Sequence, residues 1–173
     1  MQVFDFTENF KIINVSPPID AATGSLGLAT EWISMKNATK ATFILNIGVN
    51  SASASMLAIS MSVANDASGT KSATVAHAST TLSLPHVYTQ SGDTFTKVST
   101  TSSAFVPTAA SYDNCIIVAE IEAGGTFVST AVTYDADYVR LVATDPVGSA
   151  LVSCVCILSG LRYQQDSPPT AIT

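Results

Sequence analysis

Charge is what this sequence has least of. Of its 173 residues only 12% are Asp, Glu, Lys or Arg, against about 25% in a typical soluble domain. Its Lys and Arg number seven, are scattered, and leave a net charge of −6. That disfavours nucleic-acid binding, which needs clustered cations. Cysteine is scarce and odd in number: Cys115, Cys154 and Cys156. A disulfide framework wants an even set at loop positions. These three lie in apolar strand-like runs, and one residue between Cys154 and Cys156 is a poor zinc-knuckle spacing, so all three are expected as buried free thiols. No apolar run approaches the roughly 20 residues of a spanning helix, so no membrane partner is expected. Met1–Asp5 lacks a basic segment followed by an apolar core, which points to a cytoplasmic product without a secretory signal. Sustained helical periodicity is missing throughout.

Catalytic signatures are missing as well. The nucleophile elbow, the phosphate loop and the dinucleotide glycines are absent. His77 and His86 have no Glu or His at metal spacing, and the Asn65–Thr70 stretch departs from the calcium-loop pattern. The best carboxylate cluster is Asp135 and Asp137, near Asp113 and Asp145. Paired carboxylates can hydrolyse glycosides or hold calcium, but aspartates in β-turns are commoner than either. The expectation is no enzyme, no cofactor and no metal.

What the chain does have is alternation. Phe43, Leu45, Ile47 and Val49 share one parity, with Ile44 the exception on the other. Leu57, Ile59, Met61 and Val63 alternate with Ala58, Ser60, Ser62 and Ala64. Successive strand side chains point to opposite faces, so each run has one buried face. Asn50–Ser55 between them suits a turn, and the two runs are expected as an antiparallel pair at the heart of a sheet. Cys115–Glu122 is a strong strand, expected to form a hairpin with Phe127–Thr133 through Gly124-Gly125. Val139, Leu141 and Ala143 alternate with Arg140 and Val142. Leu151–Ser159 is apolar on both parities, as for a central strand covered on both faces. Turns are expected at Asn65–Thr70 and Gln90–Asp93, where Asp, Asn and Gly favour chain reversal.

The ends read differently. Val3, Phe4, Phe6 and Phe10 are apolar without periodicity, and Pro17-Pro18 argues against a long regular element. Such a segment covers a sheet edge in a monomer or reaches a neighbour in an assembly. Residues 164–173, with Pro168 and Pro169, read as an extended polyproline-like tail. The fold expected is therefore all-β, an antiparallel β-sandwich or jelly roll with extended terminal arms. It forms a single domain over 1–173: an irregular arm over 1–30, a β core over 31–163 and the tail over 164–173. A surface so poor in charge is either a neutral Ser/Thr-rich face or one covered by other subunits.

Two stretches carry a resemblance. Trp32–Ala38 followed by Phe43–Gly48 is similar to an opening found in small virion proteins of tailed bacteriophages. The ending, a last apolar strand, then Leu161-Arg162-Tyr163 and Pro168–Ile172, resembles them too. The most similar members are head decoration (cement) proteins. The resemblance implies a non-enzymatic structural protein that is assembled in the bacterial host cytoplasm and sits on the outer capsid surface of the virion. Its implied partners are the major capsid protein and copies of itself, a homotrimer being favoured. Arms bearing Val3, Phe4, Phe6 and Phe10, and Arg162, Tyr163, Pro168 and Pro169, would make the contacts. The alternative is a carbohydrate- or receptor-binding sandwich of the virion tail, using Trp32 or Tyr134 and Tyr138 as a stacking platform.

Overall fold

The structure, a computed structural model, describes residues 6–20, 28–50, 58–75, 86–98, 105–106, 113–123, 126–129, 132–135, 137–143 and 150–161. These residues are almost all β. One helical turn, α1 (Phe6–Asn9), precedes β1 (Lys11–Asp20). Two short strands follow, β2 (Leu28–Ala29) and β3 (Ile33–Ser34), and then β4 (Lys40–Asn50). Next come β5 (Ile59–Ala64), β6 (Ser72–Val75), β7 (His86–Ser91), β8 (Thr94–Val98) and β9 (Cys115–Glu122). The last four are β10 (Thr126–Ser129), β11 (Val132–Asp135), β12 (Tyr138–Ala143) and β13 (Ala150–Ser159).

They form two antiparallel sheets and a ribbon. The larger sheet has six strands in the order β1-β13-β4-β9-β7-β8. The smaller runs β2-β12-β5-β6, with β3 also paired to β12, and β10 pairs with β11 alone. Inward residues of both sheets belong to one buried cluster. Phe43, Leu45, Ile117 and Cys156 come from the larger sheet; Ile59, Met61, Val63 and Leu141 come from the smaller. Backbone bonds of 2.8 Å in both directions between Ile59 and Phe105 extend the smaller sheet by one bridge.

Four expectations need correction. First, β4 and β5 are not partners: β4 lies between β13 and β9, while β5 lies between β12 and β6. Alternation assigns each strand a buried face but does not choose its neighbour. Second, β9 does not turn back on the Phe127 run. That run divides at residues 130–131 into β10 and β11, which pair with each other. Third, the 1–30 segment is not wholly irregular. Lys11–Asp20 pairs with β13 despite Pro17-Pro18, through register shifts between Asn14 and Ser16 and between Ser16 and Ile19. Proline lacks the N–H a central strand needs, but β1 is an edge strand and the irregularities absorb the loss. Fourth, β13 is central but covered on one face only. Val152, Cys154, Cys156 and Leu158 are buried, whereas Leu151 is exposed and Val155 and Ile157 are half-buried.

Both expected turns form. In the Asn65–Thr70 turn, the Asp66 carboxylate accepts bonds from Ser68 Oγ (2.6 Å), Lys71 N (3.0 Å) and Thr70 N (3.1 Å). Gly69 there has φ of 68°, and a Cβ at this position would run into the Trp32 indole. Thr39 closes the end of the larger sheet: its N–H donates to Ser159 O and its carbonyl accepts from Ala123 N.

The fully buried Phe43 should be the costliest side chain to truncate. Phe43→Ala is expected to lower unfolding free energy by about 3–5 kcal/mol, checked by urea denaturation. The turn carboxylate supplies a pH test. The bonds from Ser68, Lys71 and Thr70 hold the Asp66 carboxyl down at about 2, against an unfolded value of roughly 3.9. The lowered value means that its stabilisation is complete above the unfolded pKa and is lost as pH falls towards the folded one. The wild-type advantage over Asp66→Asn should therefore be constant above about pH 5 and vanish near about pH 2, read from urea midpoints across that range.

Candidate functional site

Of the residues the resemblance implies as contacts, Phe6 and Phe10 are in the described structure. Val3, Phe4, Arg162, Tyr163, Pro168 and Pro169 lie outside it, as does the 164–173 tail. The Phe6 and Phe10 rings stack with centroids 4.6 Å apart, and Phe10 N donates to Phe6 O at 2.9 Å. Phe6 is 42% exposed. One helical turn thus presents an aromatic pair just ahead of the edge strand.

The more extensive apolar surface lies on the outward face of the larger sheet, where residues skipped by the core meet across strands. Val155 is opposite Ile44, and Ile44 is opposite Val118. In the adjacent row Ile12 is opposite Ile157. Ile12 is 54% and Leu151 51% exposed, while Ile44, Val118, Val155 and Ile157 are half-buried by each other. Charge enters this face mainly at its ends. Lys40 Nζ pairs with Glu120 Oε1 at 2.6 Å, and Thr42 Oγ1 donates to the same oxygen at 3.3 Å. The clues were the exceptional Ile44 and the two-sided apolarity of β13. Neither shows by itself that the residues it marks meet across strands to compose one surface.

A second cluster occupies the outward face of the smaller sheet. Trp32, Ala64 and Tyr138 are buried together, with Ala67 against them. The Arg140 guanidinium lies 4.4 Å from the centroid of Trp32, and Lys36 Nζ lies 5.6 Å from that of Tyr138. Both cations sit where an aromatic face attracts positive charge. Arg140 Nε is buried without a hydrogen-bond partner, and the attraction to the indole offsets part of that loss. Trp32 and Tyr138 are each 8% exposed, and the Gly69 turn also packs on the indole. The two rings serve as an internal plug and do not present an open platform for a sugar. For the side chain of Tyr134 the structure gives no description.

The titratable groups are dispersed. Asp137 is exposed in the turn before β12, where its carbonyl accepts from Met35 N at 2.8 Å. Asp135 ends β11, Asp113 is exposed ahead of β9, and His77 and Asp145 lie outside the described residues. Among the described residues no group of three or more His, Cys, Asp or Glu could hold a metal ion. The three cysteines are free and buried, as expected. Burial pushes the Cys154 thiol up to about 12 and raises those of Cys156 and Cys115 too. No protein-family model, curated protein or solved structure matches the chain.

The Trp32 plug is directly observable, because Trp32 is the only tryptophan. Arg140→Ala should uncover the indole, shift its emission to longer wavelength and cost about 1–2 kcal/mol. Fluorescence spectra and a denaturation curve check both.

Proposed function

We propose that this chain is a non-enzymatic structural protein of a tailed-bacteriophage virion, a head decoration (cement) protein on the outer capsid surface. In this reading its two sheets face each other as a β-sandwich of the jelly-roll kind. The shared apolar cluster and the chain's repeated passage between sheets support that arrangement. The protein self-associates, as a trimer by the resemblance, and attaches to the lattice of major capsid protein.

The observation that carries the reading is the aliphatic outward face of the larger sheet, in a chain only 12% charged. A surface of this kind is a contact surface, and the resemblance at both ends supplies its setting. The aromatic turn at Phe6–Phe10 and the tail make further contacts with capsid subunits. Each contact is modest, but many copies on one particle act together through effective concentration.

Purified protein mixed with undecorated heads of the phage that carries it should co-sediment with them saturably and raise their disruption temperature. Removal of residues 1–9 should weaken that binding by about tenfold or more, equivalent to roughly 1.4 kcal/mol. The circular dichroism and unfolding midpoint should hardly change. A folded protein that leaves such heads bare at every concentration would overturn the reading.

A further inference from the structure

We infer that the outward face of the six-stranded sheet is where a second copy of this chain docks, sheet face against sheet face. The inference rests on the self-association part of the reading above and is independent of the capsid part.

The occupant follows from chemistry and size. The middle of the face is aliphatic: Ile12, Ile44, Val118, Val155 and Ile157, with Leu151 beyond them. Tyr88, opposite Val118, and the 49%-exposed Phe95 fall on the same face by register, at its β7–β8 side. The aliphatic middle has no platform of rings for a sugar or base, and the face lacks the cation cluster a phosphate-bearing surface needs. Lys40 and Lys97 share the face with Asp20, Glu120 and Glu122 by strand register. The chain carries −6 overall, yet here the signs nearly balance, and Lys40 is already neutralised by Glu120. Two copies can therefore bring these faces together with little of the repulsion their total charge implies. Six strands spaced about 4.8 Å apart, averaging some 27 Å in length, give a footprint of roughly 750 Å². A stable interface needs about 800 Å² from each partner.

Edge-to-edge addition is the rival geometry, and at one of the sheet's two edges, β1, the sequence blunts it; the other edge, β8, is a strand of five residues. Pro17 and Pro18 lie on edge strand β1, within a segment carrying two register shifts, and neither proline can donate to an added strand. Face packing has no such obstacle. A face meeting its own copy is isologous and closes as a two-fold pair. This contact therefore produces even-numbered assemblies, unlike the threefold contact the resemblance implies.

The test is the solution mass of the full chain, by sedimentation velocity and native mass spectrometry, for wild type and for Ile44→Asp with Val155→Asp. An even-numbered wild-type assembly is expected, and each carboxylate forced into the apolar contact should weaken it by about 30-fold or more. A wild-type monomer overturns both the inference and the self-association reading. A wild type found only as trimers, or an even assembly unchanged in the folded double variant, overturns the inference and leaves that reading standing. Labelling provides a readout should the double variant fail to fold. Asn46 is exposed on this face, Thr74 is exposed on the smaller sheet, and the native thiols are buried. Maleimide should react more slowly with Asn46→Cys as protein concentration rises, and at a constant rate with Thr74→Cys. Equal behaviour at both positions overturns the inference.

Discussion

Everything in this structure depends on two sheets burying their inward residues in one apolar layer. Phe43, Leu45, Ile59, Met61, Val63, Ile117 and Leu141 are almost wholly removed from water, and they come from four strands in two sheets. Apolar burial is the dominant favourable contribution to folding, and few ion pairs could substitute for it in a chain this poor in charge. The salt bridge between Lys40 and Glu120 ties two neighbouring strands at the surface, where such pairs contribute about 0–1 kcal/mol. The core is therefore the source of stability, and the turns and caps arrange the chain around it.

The larger sheet uses its two faces differently. Its inward face is committed to the core, while its outward face carries Ile44, Val118, Val155 and Ile157. Serine, threonine and asparagine interrupt this aliphatic strip, as at Thr42, Asn46 and Ser153. The mixture is compatible with a chain that folds alone and later meets a partner. The smaller sheet has dealt with its outward face internally. Trp32 lies over Ala64, Arg140 covers the indole, and the Asp66–Lys71 turn seats Gly69 against the ring. One sheet has a plug of its own, and the other leaves its apolar residues in reach of another molecule.

Much of this was legible as alternation. The inward parity of β4, β5 and β12 follows from period-2 patterning, because a strand offers only two faces and one must avoid water; β13, apolar on both parities, did not reveal which of its faces is buried. The Asp66 turn was legible because its chemistry is local. Pairing was not, since each inward strand of this core would satisfy the same pattern beside several neighbours. Hence the expected partnership of β4 with β5 and of β9 with the Phe127 run gave way to non-local ladders. Pro17-Pro18 misled for a related reason: proline limits which side of a strand can pair, and only topology shows that β1 needs one side alone. Of the candidate contacts, Phe6 and Phe10 were visible as aromatics without a period. The outward strip was not, because its members are far apart in sequence and come together only through the register of β1, β13, β4 and β9.

The sealing of Cys115, Cys154 and Cys156 has a consequence for their reactivity. A thiol held protonated in an apolar layer is a poor nucleophile and is shielded from oxidants, since it is the thiolate that reacts. The three thiols are thus held back from disulfide exchange and oxidation by the same packing that holds the sheets together, so loosening that packing would be what exposes them.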